Sequence, residues 1–154
     1  MSTPPEVPRP ALVLGFAGLV PFVLPGLGVW LTGPPLVNLL HTLLISYGMV
    51  IAGFMAGAQW GFGSLGELDD RARRRILSMS VVPALVAWGG AFSPFPWPYA
   101  FLLAAFAMVL SFDLTLVREG RAPAWYPQLR LPLTAGVGVA LASGLLHGAI
   151  MGGG

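Results

Sequence analysis

The 154-residue chain has no cysteine and no lysine, and only 9% of its residues are charged. Without cysteine there can be no disulfide, thiolate metal site or thiol nucleophile, and redox chemistry says nothing about compartment. All eight basic residues are arginines, and they fall in only three places. The scarcity of charge is the most informative absence. No charged residue occurs from Pro10 to Gly66 or from Ile76 to Phe112, so a compact water-soluble fold would have almost no charged surface over those stretches. The net charge of +2 comes from arginines in short segments, which excludes the broad basic face of a nucleic-acid binder.

Catalytic patterns are missing as well. There is no Gly-x-Ser-x-Gly, His-Glu-x-x-His or phosphate-loop motif, and Gly61-Phe-Gly63 closes an apolar run outside any strand-to-helix context. Glu67, Asp69 and Asp70 have no second acidic motif to complete a two-metal site. Arginines follow them at once, so they read as a solvated, partly self-neutralised loop. No catalytic residue, metal-ligand set or cofactor is specified, and an enzyme is not the expected class.

What the chain does have is apolar length, with 56% hydrophobic residues. A helix needs about 20 residues to cross a hydrocarbon core of roughly 30 Å. Five such segments are present, at about Leu12 to Leu31, Leu36 to Trp60, Ile76 to Phe92, Tyr99 to Val117 and Leu131 to Met151. Gly33-Pro-Pro35 divides the first pair, and Ser93-Pro-Phe-Pro-Trp-Pro98 the second. The expected fold is therefore all-α: a polytopic membrane protein with one five-helix transmembrane domain over residues 11–154, after a disordered Pro-rich tail at 1–10.

Five crossings put all eight arginines on one side. Basic residues in short loops face the cytoplasm, which predicts a cytoplasmic amino terminus and a periplasmic carboxyl terminus in a bacterial inner membrane. The amphipathic aromatics agree. Trp30, Trp88, Trp97 and Tyr99 fall at the outer boundary, Trp60, Trp125 and Tyr126 at the inner one, and only Tyr47 lies mid-span.

Close approach through small residues is a main source of helix packing in lipid. Gly53, Gly57 and Gly61 form such a row on the second segment, and Gly136, Ala140, Gly144 and Gly148 form one on the fifth. These two helices are expected to pack centrally; the other use of such a row is a homodimer seam. Pro21, Pro25 and Pro83 remove backbone donors and should bend their helices.

Asp113 is the one acidic residue inside a span, and a carboxylate there needs a partner. Arg130 is the first choice, with Arg118 or Arg75 second. The alternatives are a structural clasp between the fourth and fifth helices and a proton or ligand site. Gln59, Trp60, Trp125 and Tyr126 belong to the same membrane surface. Together with Asp113 and Arg130 they form a candidate site for a lipid head group or a quinone ring. His41 and His147 lie at matching depth near the other surface, a spacing that would suit a haem or a metal. On a helical wheel, however, His41 falls far from the row on its helix while His147 falls within its own, so pairing the rows would keep the two apart.

Gly18-Leu-Val-Pro-Phe22, Tyr47-Gly48, Gly57-Ala-Gln-Trp-Gly61, Val82-Pro-Ala-Leu85 and Pro123-Ala-Trp-Tyr126, with Leu129-Arg130 and Leu133-Thr134, occur in order. They resemble a family of small bacterial inner-membrane proteins of unknown function that has mitochondrial transmembrane relatives. The likeness covers most of the chain. One departure stands out: the family has His before the Trp-Gly pair, and this chain has Gln59. A ligand or proton-carrying role for that His in relatives would be lost here. The resemblance implies a polytopic membrane protein and adds weight to the cluster around Trp60, Trp125, Tyr126 and Arg130.

The expected function is non-catalytic: an accessory or assembly subunit of a membrane complex, or a small lipid or quinone binder. Its partners would be membrane lipids and other membrane protein subunits. The alternative is a haem- or metal-binding redox protein using His41 and His147.

Overall fold

A computed structural model describes residues 6–65 and 67–151; the start of the expected tail and the final three glycines lie outside them. Every element is helical: α1 (Arg9–Ala17), α2 (Val20–Gly28), α3 (Leu36–Ser64), α4 (Asp70–Gly90), α5 (Trp97–Arg118) and α6 (Tyr126–Met151). Among the described residues, four segments are long and apolar enough to cross a membrane: Arg9–Gly28, which contains α1 and α2, then α3, α5 and α6. α4 is of similar length, but its first turns carry Asp70 and four arginines.

The first apolar segment is broken where proline dictates. Pro21 has no N–H for the carbonyl of Ala17, and its ring crowds that carbonyl. The chain tightens through Leu19 N to Phe16 O at 3.0 Å and Phe22 N to Leu19 O at 2.9 Å, which leaves the Gly18 carbonyl outside the ladder. Tyr47 donates its hydroxyl to that carbonyl at 3.1 Å, which explains the one aromatic stranded at mid-span. At the far end of α2, the Gly26 carbonyl accepts from the Ser143 hydroxyl, itself an acceptor from Trp30 Nε1 at 2.9 Å. α1 begins at Arg9, so Arg9 and Pro10 belong to a helix rather than the tail; proline is tolerated in a first turn.

α4 starts six residues before the sequence suggests. Asp69 is its N-cap, accepting from Ala72 N at 2.7 Å, and Asp70 follows in the first turn. Two of the three adjacent acids thus satisfy and complement a helix start. α6 likewise starts at Tyr126, with Pro127 in its first turn.

Gly48 of α3 packs on Leu102, and Gln59 reaches Val109, so α3 and α5 run in the same direction. α6 runs against both, with His147 beside His41 and Arg130 beside Asp113. α4 links α3 to α5 and packs on each: Gly63 lies against Ile76, and Gly90 against Phe101. The α3–α4 and α5–α6 connections share one end, tied by an Arg75–Glu119 ion pair of 2.5 Å. The main core gathers Phe22, Leu44, Ala52, Leu102, Phe106 and Leu141 between the helices.

The small-residue rows of α3 and α6 do not face each other. A Cβ added at Gly53, Gly57 or Gly61 would meet nothing within 4 Å. α3 packs instead through the neighbouring stripe Gly48, Ala52, Ala56, Gln59 and Gly63. The cause is the buried amide of Gln59, which must find hydrogen bonds. With Gln59 inward, Gly57 and Gly61, two residues away at roughly 100° per residue, point outward. The α6 row does pack, but on other neighbours. Gly136 meets Leu19, Gly26 of α2 lies on Ala140, Gly144 meets Leu44 and Tyr99, and Gly148 meets Phe95.

Candidate functional site

At the arginine-rich end, α3, α5 and α6 bring four of the six expected residues together. Arg130 donates from Nε to Asp113 Oδ2 at 2.7 Å. Gln59 Nε2 lies 2.8 Å from Asp113 Oδ1 and 2.9 Å from the Val109 carbonyl. Asp113 is 1% exposed, Arg130 6% and Gln59 not at all. The Arg130 guanidinium stands 5.9 Å from the centre of the Tyr126 ring. Trp125 packs edge-on against that ring. Trp60 is turned outward and exposed. This arrangement is the clasp. Acid and guanidinium cancel inside low-dielectric surroundings, and a removed partner would leave a buried charge alone.

At the opposite end the structure joins residues that the row argument kept apart. His41 Nε2 and His147 Nδ1 are 3.1 Å apart, and His41 Nδ1 is hydrogen-bonded to the Tyr99 hydroxyl at 2.5 Å. Because α3 is rotated by Gln59, the face carrying His41 turns toward α6. Trp30 stands edge-on to His147, with ring centres 5.1 Å apart. Tyr99 is 1% exposed. Sequence reasoning placed it as a boundary aromatic and missed its contact with His41; the one available signal was a tyrosine at the same depth as both histidines.

The three side chains line a cavity of about 710 Å³ that also includes Thr32, Asn38, Thr42, Val37, Ile45, Phe95 and Met151. No lining residue carries a fixed charge. A haem held between the histidines does not fit this arrangement. Imidazoles on opposite faces of one metal, each at about 2 Å, hold their nitrogens roughly 4 Å apart. Here the nitrogens share a hydrogen bond, and both nitrogens of His41 are engaged. Among the described residues there is no group of three His, Asp or Glu side chains able to hold a metal ion.

Long apolar helices packed through small residues, with their charges gathered at one end, define an α-helical, multi-pass membrane protein. The chain belongs to the family described as "Protein of unknown function (DUF3429)", whose model matches residues 7–146. It is similar to Transmembrane protein 69 of Xenopus tropicalis, with 29% identity over 147 residues, covering 94% of this chain and 57% of that protein. The chain thus spans little more than half the length of that relative. No solved structure matches.

Proposed function

We propose that this protein crosses the membrane five times, with the arginine-rich end in the cytoplasm, and binds a neutral amphiphile of the quinone class at the opposite end. α3 and α5 point the same way and α4 connects them, so if both cross, α4 must return across the bilayer. Its arginines extend to the interface by snorkelling. The arginine asymmetry supports the orientation.

One observation carries the ligand reading: the Tyr99–His41–His147 hydrogen-bond line forms part of the wall of a large, otherwise mostly apolar cavity without fixed charge. A phospholipid phosphate would call for a cation. A quinone ring needs a donor for its oxygen and apolar walls for its faces, and the free end of the line, the Tyr99 hydroxyl or the outer His147 N–H according to the tautomer, supplies the donor. The role is binding rather than turnover. Association with other membrane subunits is the companion reading, supported by the unencumbered lipid-facing row of α3.

The test uses purified protein in detergent titrated with a short-tailed quinone, read by quenching of the Trp30 end. Binding should be lost in His147→Leu and weakened about tenfold in Tyr99→Phe. Unchanged binding in both variants would refute the site. Native mass spectrometry of gently extracted protein tests the subunit reading, which a monomer without partners would contradict.

A further inference from the structure

A second site lies at the arginine-rich end, and it is independent of the histidine cavity. Arg130 spends its Nε on Asp113, but its Nη2 is buried and meets no partner among the described residues. The Thr134 hydroxyl, one turn further along α6, is likewise buried and unpartnered. Both residues line a cleft of about 110 Å³ between the α1–α2 segment, α3 and α6. The remaining walls are apolar, among them Leu19, Phe22, Phe106 and Val137. Leu14 and Phe54, which also line the cleft, are 72% and 66% exposed, so it opens on the surface that faces lipid.

Orphaned donors in such surroundings are costly, and their chemistry defines what should meet them. Arg130 already has its counter-charge in Asp113, so the missing acceptor is neutral. Nη2 can only donate, and a hydroxyl readily does the same. A carbonyl oxygen accepts from both and needs nothing in return. A water there would also have to place its own protons, and the buried, unpartnered acceptor nearest in kind, Gln59 Oε1, does not line the cleft. Arg130 lies four residues inside α6, about 6 Å from its start, at the boundary between head groups and acyl chains. We propose that Arg130 Nη2 and Thr134 Oγ1 hold the ester carbonyl of a membrane lipid, with the first methylenes of its acyl chain in the cleft. The proposal rests on the membrane-embedded reading, not on the quinone site.

Diester and diether phosphatidylcholines of the same chain length differ only in their two ester carbonyls, which the diether replaces with methylenes. In nanodiscs of the diether lipid, the thermal midpoint should fall by about 2–4 °C relative to the diester lipid. Thr134→Val should abolish the difference. Thr115→Val should keep it, since the Thr115 hydroxyl already bonds the Ser111 carbonyl at 2.9 Å. A carbon-13 label at the ester should give a down-shifted infrared carbonyl band in the wild-type protein. If Thr134→Val does not fold, the two lipids and the label still decide. Equal midpoints and an unshifted band would overturn the proposal in favour of a trapped water. The same lipid dependence in a folded Thr134→Val would remove the hydroxyl from the site.

Discussion

The two ends of the bundle use polar residues in opposite ways. At the arginine-rich end, charge is buried and balanced within the protein: Asp113 takes Arg130 on one oxygen and Gln59 on the other. At the proline-turn end, Tyr99, His41 and His147 form a hydrogen-bonded line without fixed charge, beside a cavity about six times larger than the Arg130 cleft. A buried ion pair is costly to break, and it leaves a ligand only the guanidinium nitrogen that Asp113 does not use. A relay without a fixed charge and with an open side is cheaper to disturb and better suited to recognition. The contrast teaches that a polar cluster in a membrane bundle should be judged by whether its bonds close or end in a cavity.

The sharpest way to break this contrast is to open the clasp. Asp113→Asn and Arg130→Gln should each cost about 3–5 kcal/mol of stability, read as folded yield and thermal midpoint, with the double change much less than additive. Additive losses would mean the pair is not coupled. A smaller effect separates the two glycine rows. Gly144→Ala puts a Cβ 2.7 Å from Leu44 Cδ2 and 2.8 Å from the Tyr99 hydroxyl, and should cost about 1–3 kcal/mol while weakening quinone binding. Gly57→Ala, with nothing within 4 Å, should leave stability unchanged or slightly raised. Equal losses would mean that α3 is rotated differently.

The smallest effect comes from the surface of the charged end. The hydrogen bond from Arg75, aided by the charges of Arg75 and Arg121, holds the Glu119 carboxyl below its ordinary range. A depressed carboxyl stabilises the fold above the ordinary glutamate range and loses that contribution as pH falls through its lowered value. Solvent and salt screen the pair, so Glu119→Gln should cost less than about 1 kcal/mol, and only above that pH window. A larger loss, or one that persists in acid, would show that Glu119 does more than tie the α5–α6 connection to α4.

Much of the architecture was legible because bilayer thickness and charge placement are coarse constraints. The charge-free stretches and two proline turns marked the helices, and the solitary intramembrane acid pointed to Arg130. Rotation about each helix axis was not legible. α3 carries small residues on two adjacent faces, Gly53-Gly57-Gly61 and Gly48-Ala52-Ala56, and small size alone does not choose between them. Gln59 decides, and only because Val109 and Asp113 are there to receive its amide. The pairing of His41 with His147 depends on the same rotation, so the error in one became the error in the other. The break at Gly18 was half visible in Pro21; its partner Tyr47 was noticed only as an aromatic out of place.

The interrupted first segment has a mechanical consequence. No residue of α1 is buried, whereas α2 buries Phe22, Pro25 and Gly26, so the segment is anchored mainly by its second half, with α1 held more lightly where Gly15 lies against Leu129 and Leu133 of α6. A thinner or thicker bilayer can be absorbed by swinging α1 about the Gly18 joint rather than by tilting the whole bundle. The geometry of the histidine end is thereby insulated from the thickness of the sheet that surrounds it.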